Sequence, residues 1–185
     1  NVAPTKKVYA VMNRHHEREI KIVRWGLIPS WAKDPKIGSR MVNARLETAA
    51  EKPSFRAAWK KRRALIPADG YYEWYTSQAE PPPGKKPAKQ PYYIHPRDGQ
   101  LMSMAGLYEI WRDPTVADED DPMAFRWTCT ILTTNATDDL GRIHDRMPLL
   151  VEAEHMAEWL DAENPSPSPD ILIPAAPGLL EAYPV

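Results

Sequence analysis

The sequence predicts an α+β fold: a single domain with a mixed, barrel-like β-sheet core flanked by a few short helices. Short segments of alternating apolar and polar residues dominate the first two-thirds of the chain, which is the period of strands with one buried face. These segments follow one another without crossover helices, which argues against a doubly wound α/β fold. Helical stripes occur in only two places, 54–61 and 153–160.

Taken in order, the first strand is Lys7 to Met12 and the second Glu19 to Trp25, with Ile20 and Ile22 alternating. The polar quartet Asn13-Arg14-His15-His16 between them suits a hairpin loop. Further strand signals lie at 63–67, 70–76, 91–95, 101–105 and 107–111. The longest is 126–134, with Trp127, Cys129 and Ile131 on one face and Thr128, Thr130 and Leu132 on the other. A last short strand is expected at 148–151. The helix at 54–61 presents Phe55, Ala58 and Trp59 on one side, and its basic end, Lys60 to Arg63, complements the helix dipole. The second helix carries Met156, Trp159 and Leu160 as its apolar stripe. Residues 76–91, with five prolines and three lysines, read as a surface flap, and 113–122 as an acidic loop. The tail 165–185 carries six prolines and should wrap the surface in extended form.

A chain of 185 residues is long enough to bury roughly 70% of its unfolded surface without staples. Its single cysteine, Cys129, excludes an intrachain disulfide framework and points to a reducing, cytoplasmic setting. No apolar run reaches the roughly 18 residues of a membrane span, so no membrane partner is expected. Ligand spacing for a metal is absent, as are phosphate-loop and dinucleotide fingerprints, so neither metal nor cofactor is expected. The chain opens on Asn1 rather than Met, as a sequence that begins partway through a natural chain or has lost its start.

The net charge of −1 conceals a division. Up to Arg112 there are 21 Lys and Arg against 10 Asp and Glu, a balance of +11; from Asp113 onward there are 3 against 15, a balance of −12. Either the first part meets an anionic partner such as nucleic acid, or the two parts neutralise each other in the fold.

Four segments carry residue types suited to chemistry. Asn43, Arg45 and Glu47 alternate and would share one face of an extended chain, presenting an amide and a planar guanidinium fork; the alternative is a solvated strand edge. Glu73 sits among Tyr71, Tyr72, Trp74 and Tyr75 after the turn signal Asp69-Gly70. An aromatic surrounding raises a carboxyl pKa and fits it for acid–base work, while an exposed, Lys-paired Glu is the alternative. His144 lies between Ile143 and Asp145-Arg146 and titrates near neutrality. Trp25 and Trp31 flank a proline turn near Arg40 and Arg45; exposed, they would stack unpaired bases, though core packing should take at least one of them. Cys129, inside a strand pattern, reads as a small buried hydrophobe rather than a nucleophile.

Seven segments in order, from Asn1-Val2-Ala3-Pro4 to Ile143-His144-Asp145-Arg146-Met147-Pro148, resemble the SOS response-associated peptidase (SRAP) family, relatives of the human 5-hydroxymethylcytosine-binding protein of embryonic stem cells. Between them lie Trp25-Gly26-Leu27-Ile28-Pro29-Ser30-Trp31, Asn43-Ala44-Arg45-Leu46-Glu47-Thr48, Pro67-Ala68-Asp69-Gly70-Tyr71-Tyr72-Glu73-Trp74, Ala105-Gly106-Leu107-Tyr108 and Leu132-Thr133-Thr134-Asn135-Ala136. The resemblance implies a monomeric protein that binds single-stranded DNA and cross-links to abasic sites as a thiazolidine. The family nucleophile is an N-terminal cysteine exposed by autoprocessing, and it is expected upstream of Asn1. By the same resemblance Asn43, Glu73 and His144 are the catalytic residues, and Trp31, Arg40, Arg45, Trp74, Thr134 and Arg146 contact DNA. A non-covalent binder of single-stranded DNA or modified bases, and a cysteine-type peptidase acting on other proteins, are the alternatives. A basic groove lined by Arg40, Arg45 and the Trp31 region is expected, with the acidic loop and tail turned away.

Overall fold

The computed structural model describes residues 1–77, 79, 84–137 and 140–185. Parts of the expected flap (78 and 80–83) and of the loop before His144 (138 and 139) lie outside the described residues.

Strands β1 (Lys7–Arg14) and β2 (Glu17–Trp25) form the expected hairpin, in register from Lys7↔Arg24 to Arg14↔Glu17. His15 and His16 turn it, both with positive φ (51° and 65°), as a turn matched to strand twist requires. After a 3₁₀ helix at Pro35–Arg40 come β3 (Asn43–Arg45), α1 (Leu46–Ala49), α2 (Arg56–Lys61), β4 (Arg63–Ala68) and β5 (Tyr71–Thr76). The chain continues through β6 (Lys89–Pro96), β7 (Met102–Arg112), β8 (Phe125–Asn135), α3 (Leu140–Ile143), β9 (Arg146–Pro148), α4 (Met156–Leu160) and β10 (Leu180–Pro184).

Five strands, β2-β1-β4-β7-β8, close into a barrel because β2 also pairs in parallel with β8, at Arg24↔Thr128 and Trp25↔Cys129. Closure removes the free sheet edges that would otherwise invite pairing with another chain. Beyond this two-pair seam, β8 continues between β3 on one edge (Asn43↔Ile131) and β9 on the other (Thr133↔Pro148). Gly26 makes the transition possible. Its N–H donates to the Cys129 carbonyl at 2.8 Å, its φ is +132°, and a Cβ there would stand 2.5 Å from the Gly38 carbonyl oxygen. Only glycine tolerates both the angle and the approach.

Ala10, Met12, Val23, Ala64, Ile66, Tyr108, Cys129 and Ile131 belong to one buried cluster inside the barrel wall. The alternate residues Leu65, Ala105, Leu107 and Leu132 face outward beneath Phe55, Trp59, Trp159 and Leu160, with the Trp59 and Trp159 rings edge to face at 6.0 Å. A second, antiparallel sheet, β10-β6-β5, lays Ile94 and Leu180 onto the first cluster.

The structure differs from the sequence expectation in four places. The two strands expected at 101–105 and 107–111 are one, β7, since Gly106 leaves room for the Ile66 side chain and the Thr130 carbonyl at about 3 Å from where its Cβ would be. The last short strand lies at Arg146–Pro148 rather than 148–151. The 153–160 helix is a 3₁₀ turn followed by α4. The tail does not stay a surface wrap: Leu180–Pro184 pairs with β6 as an edge strand, which satisfies its backbone groups and buries Leu180.

Candidate functional site

The local sequence of β5 sets the site's chemistry. Its alternation puts Tyr71, Glu73 and Tyr75 on one face, half-buried, and Tyr72, Trp74 and Thr76 on the other, exposed. Across the sheet Glu73 stands opposite Tyr92 and Tyr71 opposite Ile94. Burial pushes the Glu73 carboxyl above its ordinary range; the positive charge of His144 and the Trp74 backbone N–H pull it back, and Asp145 pushes it up again. Burial, with Glu73 nearby, also raises the Tyr71 phenol. Glu73 of β5 and the exposed His144, which follows α3, therefore form one electrostatic unit although 71 positions separate them.

His144 is oriented by its own turn. The Arg146 N–H lies 3.0 Å from Nδ1 and the Arg146 carbonyl 3.3 Å from the same nitrogen, so the Nδ1 edge is held by its own turn whichever ring nitrogen carries the proton. When the ring is protonated, Asp145 Oδ1, 3.3 Å from Nδ1, is the matching anion.

Arg146 ties this corner to β3. Its Nη1 donates to Glu47 Oε1 (2.7 Å) and Asn135 Oδ1 (2.8 Å), and its Nη2 to Glu47 Oε2 (2.9 Å) and the Thr133 carbonyl (2.5 Å). The two-pronged bond holds the Glu47 carboxyl below its ordinary range. Glu47 is the second residue of α1, directly after β3, whose Asn43 and Arg45 are both exposed on the same edge. Arg45 pairs with Thr133, so one guanidinium holds the Asn43–Arg45 edge beside the loop that carries His144.

The sequence-derived residues thus divide by position in the fold. Glu73 and His144 come together, and Asn43 and Arg45 are joined to them through Glu47 and Arg146. Trp31 is 58% exposed and Arg40 is exposed at the end of the 3₁₀ helix; both belong to the Gly26–Val42 excursion that delivers β3. Trp74 is exposed on the face of β5 opposite Glu73, beside the tilted pair Tyr72–Tyr93. Thr134 is buried. Trp25 is the member of the tryptophan pair taken by packing: its Nε1–H donates to the Val42 carbonyl at 2.8 Å. In the sequence Glu47 reads only as sharing an extended face with Asn43 and Arg45, whereas it lies in the helical turn after them, and Asn135 lies inside a quoted motif without a role. Only their shared guanidinium reveals a role.

Cys129 is fully buried in the barrel, and burial pushes its thiol up to about 12. A thiol so placed is not a nucleophile. The native protein should leave it unmodified by a thiol-reactive chromogen at pH 8 and yield one equivalent when denatured; labelling of the native fold would mean that the barrel opens. Among the described residues no three His, Cys, Asp or Glu side chains cluster to hold a metal ion, and no helix is long and apolar enough to cross a membrane.

Comparison with known proteins follows the same lines. Residues 1–185 match the family described as SOS response associated peptidase (SRAP). The abasic site processing protein YoqW of Bacillus subtilis is 41% identical over 187 aligned positions, covering 100% of this chain and 77% of its own. The abasic site processing protein YoaM of the same organism is 40% identical, with 100% and 76% covered. A crystal structure of a protein from Bacteroides thetaiotaomicron superposes with a TM-score of 0.79 at 30% identity, over 98% of this chain and 74% of that one.

Proposed function

The chain belongs to the SOS response-associated peptidase family, and from that premise we propose that it binds single-stranded DNA and processes abasic sites, with Glu73 moving protons at the reacting sugar. The carrying observation is the half-buried Glu73 carboxyl, raised above its ordinary range beside His144. Relatives named for abasic site processing, at 40–41% identity, supply the substrate class.

In the covalent form of this proposal the nucleophile is an N-terminal cysteine upstream of Asn1. His144 in its imidazolium form gives its Nε2 proton to the ring oxygen of the abasic sugar as the bond between that oxygen and C1 breaks, and the C1 hydroxyl passes its proton to water, giving the aldehyde. The unprotonated terminal amine adds to that carbonyl; an α-amine with a pKa near about 8 needs little tuning. Glu73 in its acid form, which its surroundings favour, gives its proton to the departing hydroxyl, so that water leaves and an iminium forms. The thiol then adds to the iminium carbon, its proton returning to the Glu73 carboxylate, and the thiazolidine ring closes with a neutral ring N–H. Asn43 holds the sugar or the attacking terminus by its amide, and Arg45 and Arg40 take backbone phosphates beside the exposed Trp31 ring.

Incubating the full-length protein with a single-stranded oligonucleotide carrying one abasic site should give a band that survives denaturation. Retention that weakens with salt and leaves no such band would replace covalent processing with simple binding. Equal retention of intact and abasic strands would remove abasic-site recognition as well.

A further inference from the structure

The outer face of the β1–β2 hairpin is apolar, where a strand pair with one face in a core ordinarily turns polar residues to water. Strand alternation sends Ala10, Met12 and Val23 into the barrel and the alternate residues outward. The register pairs those outward residues as Lys7 with Arg24, Tyr9 with Ile22, Val11 with Ile20 and Asn13 with Arg18. Tyr9, Ile20 and Ile22 are 60%, 70% and 59% exposed, while Val11 borders the cluster beneath α2 and α4. The helical layer therefore stops at Val11 and leaves an apolar ladder in water, with cations at both ends. No carboxylate of the hairpin shares that face, because Glu17 and Glu19 alternate to the other side of β2. A contiguous apolar patch rimmed by charge marks an interaction surface.

A complementary surface lies elsewhere on the same chain. A groove of about 440 Å³ runs between the segment after β9 and the tail before β10, within the roughly 300–1,000 Å³ of sites that take an apolar body. Leu150, Ile171, Ile173 and Leu179 line it, Ile173 being 59% exposed. Its charged residues are the exposed Glu152 and Asp170, with His155 beside them, 3.8 Å from Glu154. Among the described residues no Lys or Arg lines the groove, and none forms an ion pair with Glu152, Glu154 or Asp170. The ladder belongs to the part of the chain with a balance of +11 and the groove to the part with −12. Both are exposed in one molecule, so neither covers the other within it.

We infer that the two surfaces meet between two copies of this chain. The Tyr9–Ile20–Ile22 ladder of one seats in the groove of the next, with Lys7, Arg18 and Arg24 against Glu152 and Asp170. This goes beyond abasic-site processing and does not depend on it. Two ladders cannot pair with each other, since that would set cation against cation. Nor does the ladder suit DNA, because Val11, Ile20 and Ile22 offer no ring on which a base can stack. The contact is heterologous, so each added copy leaves a free ladder at one end and a free groove at the other. Few residues meet on each side, against about 20–30 in a standard interface, so the association is weak and sensitive to salt.

The test is sedimentation velocity of the full-length protein from about 10 μM to 1 mM, the range of weak complexes. The weight-average sedimentation coefficient should rise with concentration, and the rise should shrink at about 1 M salt, where the screening length is about 3 Å. Lys7→Glu/Arg18→Glu and Glu152→Lys/Asp170→Lys should each stay monomeric alone, while an equimolar mixture of the two should associate again. Ile20→Ser/Ile22→Ser keeps every charge and should also abolish the rise, which separates apolar docking from general charge attraction. Thermal melting of each variant verifies its fold. A wild-type coefficient that is constant at every concentration would overturn the contact. So would a rise that survives either charge reversal or the serine pair, or two folded reversed variants that fail to associate when mixed.

Discussion

Glu73→Gln should lower the rate of abasic-site adduct formation by about 10²- to 10⁴-fold, the range typical of a lost general acid–base, while changing affinity for a tetrahydrofuran-containing strand only slightly. Gln keeps the size and most of the hydrogen bonding of Glu but cannot release a proton. The wild-type rate should hold while Glu73 is protonated and fall as pH rises through its raised pKa. Asp145→Asn removes an anion that pushes that pKa up, so the alkaline limb should move to lower pH; because Asp145 is exposed, the movement should be small.

Stability should run the other way. A carboxyl whose folded-state pKa is raised favours folding most below its unfolded value and loses that contribution as pH rises through the folded pKa. Above its raised pKa the ionised Glu73 is thus a burden on the fold, and there Glu73→Gln should leave the melting temperature unchanged or raise it. Loss of activity together with loss of stability would mean that Glu73 is a structural residue.

The largest stability effect is expected at Arg63. Its guanidinium, 3% exposed, donates Nε–H to the Trp159 carbonyl (2.6 Å), Nη1–H to the Trp59 carbonyl (2.8 Å), and Nη2–H to the carbonyls of Asn164 (2.6 Å) and Asp161. The Trp159 ring covers it at 5.5 Å. One side chain from the start of β4 thereby closes the ends of α2 and α4 and the turn after α4, where backbone acceptors lack intrahelical donors. Burial lowers its pKa, with Asp161 and Glu158 opposing, but arginine keeps its charge. Arg63→Met leaves these acceptors unpaired, each costing about 1–3 kcal/mol where buried. A total loss of about 3–5 kcal/mol is expected, or roughly 6–20 °C in Tm by calorimetry. Arg63→Lys should recover little, since an ammonium cannot reproduce the planar fork. A melting temperature within about 2 °C of wild type in either variant would show the clamp to be dispensable, at roughly 2–4 °C per kcal/mol for a domain of this size.

Arg63 also marks a limit of sequence reading. In the run Lys60-Lys61-Arg62-Arg63 all four residues look alike, as a basic helix end. Only Arg63 turns inward, because it opens β4 on the face that carries Leu65 beneath α2 and α4. Arg62 instead pairs with the buried Glu109 at 2.8 Å. Arg146 is parallel: its sequence neighbours suggest a free cation beside His144, whereas its guanidinium is already occupied by Glu47, Asn135 and Thr133. At Trp74, strand alternation alone was enough to separate it from Glu73, and adjacency in a motif concealed this.

What the sequence by itself determined was everything set by local period and composition. The mixed, barrel-like α+β class, the β1–β2 hairpin, the faces of β8, the burial of Cys129 and the pairing of Glu73 with aromatic neighbours all follow from residues close together in the chain. Tertiary structure alone decided what depends on partners far apart. The two-pair β2–β8 seam closes the barrel, β10 returns to β6, Gly106 serves a close approach rather than a break, and Glu47 holds Arg146 across 99 positions. The reason is physical: alternation and turn chemistry act over a few residues, whereas ion pairs, burial and strand pairing act through space. No local pattern records which distant group will fill a given hydrogen bond.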